Sequence, residues 1–310
     1  MMKTIKLRAR AKINLSININ GVFEDGYHDV EMVMQSIDLS DYILIRKKSS
    51  GYKLTISNSN LISDKRNIIY KTWQYMKEKY KIEEGIEVFL EKNIPIAAGM
   101  AGGSADSAAM FVGINKLFDL GLDEKELIED SKALGSDIAF CISGGTALAY
   151  GKGADIQKLK ALNEDINILV CKPNQSASTR KIYSKFDRMF LDEKNKILLS
   201  DNRLMNYTPN NERLVEFINN GKCISEIVKA MGNVLEPVTR TLCSDIDIIK
   251  KIMDDSGSIK SMMSGSGPTV FGFFSDNKAL KKCSKILRNE YINTYVTRPS
   301  SKGVEICVFN

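Results

Sequence analysis

Histidine is nearly missing: the chain of 310 residues has one, His28. A single histidine cannot build a multi-histidine metal site, a HExxH zinc site included. A Ser-His-Asp triad would have to use His28 itself. Cysteine is sparse and dispersed. None of the six (Cys141, Cys171, Cys223, Cys243, Cys283, Cys307) stands in a C-x-x-C or other short ligand spacing, which argues against a zinc ribbon or finger. They lie in apolar segments and read as free thiols of a reducing cytosol. Long apolar runs are missing too. Met1 to Arg10 alternates charged and apolar residues without the apolar stretch of a secretion signal. No run approaches the roughly 18 residues of a membrane span. The expectation is a cytoplasmic protein with no membrane partner.

What is present is ordinary for a soluble chain: 43% hydrophobic and 26% charged residues. At roughly 100–200 residues per domain the length suggests about two domains. The 44 Lys+Arg against 38 Asp+Glu leave a net +6. That suits a polyanionic small molecule. The basic residues form no run interleaved with aromatics, so nucleic acid is not the expected partner. The chain shows no internal repeat.

The most legible stretch is the first. Every odd position from Ile5 to Ile19 is apolar and every even position from Lys6 to Asn20 is polar. Period two predicts strand with one face buried, as two consecutive strands or one broken by a bulge. It also sets Lys12 and Asn14 side by side on the same face. Tyr42–Arg46 and Tyr52–Ser57 around Ser49-Ser50-Gly51 predict a hairpin. Asn67 to Tyr80 has helical spacing, and Ile86, Val88 and Leu90 mark another strand. Asp123-Glu124-Lys125-Glu126 has the form of a capping box. Ser136-Asp137 opens a short helix that Gly144-Gly145 ends. A second half begins near Asn167. Helices interspersed with hairpin-like strands favour α+β with antiparallel pairing over a doubly wound parallel sheet.

Two glycine-rich loops stand out. Ala97 to Ala109 runs from a strand into a helix, where backbone amides and the helix dipole bind phosphate. It is neither a Walker A loop nor G-x-G-x-x-G. Spacing alone reads it equally as a helix start tucked against a neighbour. The second loop, Ser264-Gly265-Ser266-Gly267-Pro268, also fails the dinucleotide pattern. Asp137 reads as a helix cap or as a carboxylate that orients a hydroxyl. Lys12 reads as a solvated strand residue or as a catalytic cation. Tyr27-His28 reads as surface packing or as a stacking platform beside a hydrogen-bonding ring.

Together these segments form an ordered set: Ala11-Lys12-Ile13-Asn14-Leu15, Asp25-Gly26-Tyr27-His28, the loop after Ile94-Pro95, Gly135-Ser136-Asp137-Ile138, Gly144-Gly145-Thr146, and Met263 to Pro268. The set resembles the GHMP kinase superfamily from about Ala11 to Phe274. The Ala11–Leu15 and Gly26–His28 segments, with Met34-Gln35-Ser36-Ile37-Asp38-Leu39, set it apart from the mevalonate, homoserine and galactose kinases.

The resemblance implies an α+β, two-domain architecture. Residues 1–160 would form an N-terminal domain like ribosomal protein S5 domain 2, and residues 161–310 a ferredoxin-like C-terminal domain, with the site between them. It implies ATP and Mg2+ as cosubstrate and cofactor, and a cytidine diphosphate-linked methylerythritol as acceptor. The ATP loop would be Pro95, Ile96, Ala97, Ala98, Gly99, Met100, Ala101, Gly102, Gly103, Ser104 and Ala105, with Asn67 and Asn115 near the adenine and Ser104 a candidate magnesium contact. The catalytic pair would be Asp137 and Lys12. Asn14 would hydrogen-bond the acceptor. Tyr27 and His28 would hold its cytosine, with Tyr183 rather than Phe186 closing the pocket. Ala101 stands where the family commonly has glycine. Alanine avoids positive φ, so an ordinary backbone region is expected there. Two other readings stay open: a kinase of a different small alcohol, and a catalytically silent binding protein on this fold.

Overall fold

The structure is a computed structural model that describes residues 4–57, 61–192, 197 and 201–309. Met1, Met2 and Lys3 of the segment read for a secretion signal lie outside the described residues. Among the described residues no helix is long and apolar enough to cross a membrane.

The first half runs β1 (Thr4–Asn14), β2 (Ser16–Val22), β3 (His28–Lys48), β4 (Tyr52–Ser57), α1 (Ile68–Lys79), β5 (Gly85–Glu91), α2 (Gly102–Leu117), α3 (Glu124–Ser131), α4 (Ser136–Ser143), β6 (Thr146–Gly151) and β7 (Asp155–Lys158). The odd positions Ile5 to Ile19 are all buried, as the alternation requires. The other face is not simply solvated: Arg10, Lys12, Asn14 and Ser16 are buried too. Lys12 N donates to Met100 O at 3.1 Å and Asn14 N to Ser264 Oγ at 3.2 Å. The two glycine-rich loops therefore cover this end of β1.

The expected hairpin of β3 and β4 does not form. Residues 42–48 of β3 have β5 along one edge, and β1 takes the other edge at Tyr42–Arg46. β4 instead pairs parallel with the far side of β5. β5 buries Ile86, Val88 and Leu90 completely, whereas β4 buries only Leu54, so β5 takes the central place and β4 the edge. The capping box at Asp123 is formed in both directions.

The second half adds β8 (Asn167–Cys171), α5 (Thr179–Phe190), α6 (Asn202–Met205), α7 (Asn211–Asn219), α8 (Ile224–Ile227), β9 (Gly232–Asn233), α9 (Glu236–Arg240), α10 (Asp245–Asp255), β10 (Lys260–Met263), β11 (Val270–Phe274), α11 (Asn277–Arg288), β12 (Thr294–Thr297) and β13 (Val304–Phe309). Its sheet has the order β10-β11-β8-β12 with every neighbour antiparallel. Counted within this sheet, that is second-third-first-fourth, the split β-α-β arrangement of a ferredoxin-like domain. A boundary at residue 160 does not hold for the whole tail. β13 pairs antiparallel with β1, and β9 pairs parallel with β2, so two segments of the second half complete the first sheet. The free edges of β1 and β2 demand partners, and the returning chain supplies them.

Candidate active site

The loop from Pro95 to Ala101 carries α2 into the cleft between the halves. Three of its residues have left-handed backbone: Ala97 (φ 50°), Gly99 (φ 74°) and Ala101 (φ 54°). The expectation of an ordinary region at Ala101 is thus overturned. Ala101 is the N-cap of α2, and its carbonyl accepts from Ala105 N at 2.8 Å, while the Met100 carbonyl accepts from Lys12 N. These bonds hold a conformation that costs alanine about 1–2 kcal/mol. At Gly99 a Cβ would meet Ser264 O at 2.3 Å, and Ser264 Oγ donates to Gly99 O at 3.0 Å. The two loops that spacing left unassigned lie directly against each other.

No side chain caps α2. Its first amides have no partner within the helix and, with the dipole of a 16-residue helix, make a site for an anion. Beneath them Lys92 is buried and paired with Asp41 and, at 3.2 Å, with Asp106. Burial alone would lower the Lys92 ammonium, but Asp106 and Asp41 outweigh it and raise its pKa. Burial pushes the Asp106 carboxyl well above the ordinary carboxylate range; Lys92 opposes the rise and Asp41 adds to it.

Lys12 and Asp137 meet across the floor of the cleft, Nζ to Oδ2 at 3.5 Å. The lysine side chain is 5% exposed and the aspartate 32%, so the carboxylate is the member open to a ligand. Asn14 Oδ1 accepts from Lys12 Nζ at 2.6 Å and its Nδ2 faces Met32 Sδ at 3.4 Å. Both ends of the Asn14 amide are engaged, the oxygen on the lysine and the nitrogen on Met32.

The opposite wall comes from α5. Ile182, Phe186 and Phe190 are its buried stripe. Phe186 packs on Phe190 with ring centroids 5.3 Å apart and is lost to the core. Tyr183 faces the cleft and meets the His28 ring at 4.6 Å. Burial pushes the Tyr183 phenol up, with Asp137 and Asp187 adding to it, so it is a neutral donor. His28 Nε2 lies 2.6 Å from Asp187 Oδ1. Tyr27 stands 61% exposed at the mouth, with Lys152 Nζ 5.1 Å from its ring centre.

Asn67 lines the cleft but serves α1: its Oδ1 accepts from Ile69 N at 2.9 Å and its Nδ2 donates to Ile62 O at 2.7 Å. Asn115 does not reach the cleft. It sits in the last turn of α2, about 20 Å along the helix from Gly102. Both ends of its amide hold Leu122, at 2.9 and 3.1 Å. The placement near adenine fails because this asparagine braces the turn that follows the helix.

The cleft encloses ≈ 1280 Å³, more than the roughly 300–1,000 Å³ of a site for one small molecule. Lys12, Asn14, Tyr27, His28, Asn67, Asp137, Tyr183 and most of the loop line it.

Family models match both halves: that for the GHMP kinases N terminal domain over residues 67–145, and that for the GHMP kinases C terminal over residues 210–293. A 4-diphosphocytidyl-2-C-methyl-D-erythritol kinase of Clostridioides difficile (strain 630) is 42% identical over 307 residues, 99% of each chain. The chain belongs to the GHMP kinases. A kinase of the same name from Clostridium acetobutylicum is 40% identical over 294 residues, 95% of this chain and 99% of that one. The crystal structure of a 4-(cytidine 5'-diphospho)-2C-methyl-D-erythritol kinase superposes with a TM-score of 0.76 at 23% identity, covering 95% of this kinase and 99% of that chain. A homoserine kinase from Cytophaga hutchinsonii has the same TM-score of 0.76 at 22% identity, covering 99% and 98%. The backbone therefore identifies the fold and does not separate the acceptors.

As a GHMP kinase the enzyme uses ATP. Among the described residues no three His, Cys, Asp or Glu side chains gather around a metal position. Sequence reasoning missed Lys92, Asp106, Lys152 and Asp187, all of which line the cleft. Asp187 had a signal: it lies four residues after Tyr183, on the same face of α5.

Proposed function

We propose that this kinase transfers the γ-phosphoryl group of ATP to the 2-hydroxyl of 4-diphosphocytidyl-2-C-methyl-D-erythritol, giving the 2-phosphate and ADP, a step in making isoprenoid precursors by the non-mevalonate route. The observation that carries this is the Lys12–Asp137 pair at 3.5 Å, set between an anion-binding loop and an aromatic wall. Near-full-length relatives of that name, about 40% identical, support the same acceptor.

The acceptor hydroxyl is tertiary, hindered and weakly acidic. In a loose phosphoryl-transfer transition state, holding it in line with phosphorus is the larger contribution. Asp137 accepts or orients the hydroxyl proton. Lys12, kept on target by Asn14, offsets charge that develops on the oxygens in flight. The free amides at the start of α2 and the loop before it hold the ATP phosphates without a P-loop lysine. Ser104, with phosphates and waters, would hold Mg2+, which neutralises phosphate charge when bound. Tyr27, His28 and Tyr183 receive the cytosine ring. Both ligands are small anions, in keeping with the modest net charge of +6.

An ADP-release assay with the cytidyl alcohol, mevalonate and homoserine tests this. ADP should appear with the first alone. Turnover of mevalonate or homoserine in its place would identify a different acceptor, and no turnover with any would revive a silent binding protein.

A further inference from the structure

Asp187 has no part in the reaction above, yet it makes the one side-chain hydrogen bond recorded for the His28 ring among the described residues. α5 sets Tyr183 and Asp187 one turn apart on its cleft face. The ring of Tyr183 lies against one side of the imidazole and the Asp187 carboxylate meets its edge at 2.6 Å. The His28 side chain is 12% exposed, so its alternatives to that bond are few. A carboxylate oxygen accepts; the nitrogen that faces it must carry the proton. Nε2 is thereby the N–H, and in the neutral ring Nδ1 is left as a bare acceptor with no partner among the described residues.

We propose that Asp187 is a positioning residue that fixes the tautomer of His28 and so makes the pocket choose cytosine over uracil. This rests on the reading that His28 meets the base. Cytosine presents an exocyclic amine where uracil presents a carbonyl oxygen. An Nδ1 lone pair accepts from the amine. Set against the carbonyl, it brings two lone pairs together with no proton between them. A buried acceptor left in that state costs about 1–3 kcal/mol, which at about 1.4 kcal/mol per tenfold is roughly a five- to 150-fold preference for the cytidine nucleotide. The device also spans the cleft, since His28 begins β3 in the first half and Asp187 belongs to the second.

The single histidine makes the tautomer directly readable. Isotope-labelled histidine NMR of the full chain reports one imidazole and needs no assignment. In its neutral ring the wild type should show the Nε2–H form. Asp187→Asn offers that nitrogen both a donor and an acceptor, so its spectrum should shift toward the Nδ1–H form. Calorimetry with cytidine diphosphate and uridine diphosphate should show the wild-type preference falling about tenfold or more in the variant, chiefly through weaker cytidine binding, with kcat at saturating acceptor little changed. Asp187→Ser should behave alike and guards against a folding fault peculiar to the amide. A variant that keeps both tautomer and preference overturns the role of Asp187 alone. Lost preference with an unchanged tautomer overturns it as well. A wild type that binds the two nucleotides equally removes the cytosine reading itself and this proposal with it.

Discussion

Replacing Lys92 with methionine keeps the length of the side chain and deletes an ammonium shared by two carboxylates. The three side chains are 4%, 0% and 3% exposed for Lys92, Asp41 and Asp106. Asp106 lies above the ordinary carboxylate range because it is buried, and it can meet the loss by keeping a proton. Asp41 is differently placed. Its Oδ1 accepts from Asn93 N at 2.5 Å and Ile94 N at 2.8 Å, and its Oδ2 would face methionine instead of an ammonium. Removing one partner of a buried pair costs about 3–5 kcal/mol. At about 2–4 °C per kcal/mol for a chain somewhat smaller than this one, the melting point should drop by about 5–15 °C. The fault should also reach the active site. Lys92 Nζ lies 2.9 Å from where a Cβ on Gly102 would stand, so the ammonium supports the first turn of α2 from below. Urea titration and a KM for ATP measure the two effects. A Lys92→Met variant within about 1 kcal/mol of wild type, with its KM for ATP unchanged, would refute the argument that this pair holds the loop.

Asp137→Ala should lower kcat by about 100- to 10,000-fold with little change in melting point, since its ion pair with Lys12 is long at 3.5 Å; near-wild-type turnover would remove it from the mechanism. Gly99→Ala should lose at least about 1–2 kcal/mol from its φ of 74° alone. Its Cβ would also meet Ser264 O at 2.3 Å, so the KM for ATP should rise in parallel. Glu305, bonded to Lys302 and to Arg10 at 2.7 Å, has its carboxyl held down at about 2. A depressed acid contributes stability above its unfolded pKa of about 4.3 and loses it as pH falls toward the folded value. Screening keeps the contribution under about 1 kcal/mol, and the stability gap between wild type and Glu305→Gln should close between those two pH values in urea melts.

The features legible in advance were those fixed by neighbours in sequence. The alternation of Ile5 to Ile19 survives intact because a period of two depends only on the strand itself. The reciprocal cap at Asp123 is likewise local. Phe186 falls on the buried stripe of Ile182 and Phe190, which leaves Tyr183 as the aromatic of α5 that lines the cleft. The failures are matters of long range. Nothing between Arg46 and Tyr52 announces that β5, more than thirty residues later, would occupy the edge β4 needed. Asn115 looked like a ligand residue by position and is the brace of a turn. Ala101 taken alone favours an ordinary backbone region, while its backbone is held by bonds to Ala105 and, through Met100, to Lys12.

The way the halves are joined bears on how the reaction gains its rate. Positioning is worth most when the groups that hold donor and acceptor keep a fixed relation. Here the Pro95–Ala101 loop, proposed to hold the donor, is tied to the second half through Gly99 and Ser264, with the hydroxyl-to-carbonyl bond at 3.0 Å. The α5 wall, proposed to receive the acceptor, is tied to the first half through His28 and Asp187. Two backbone pairings, β13 on Ile5–Ala9 of β1 and β9 on Ser16–Ile17 of β2, join the same halves on either side of Lys12 and Asn14 in the sequence. A hinge that opened the cleft by rotating one half would have to break strand pairing or one of these short contacts. Ligand entry is therefore expected through the exposed mouth, where Tyr27 and Lys152 stand, and specificity is expected to reside in a wall preset by Asp187 rather than in closure around the base.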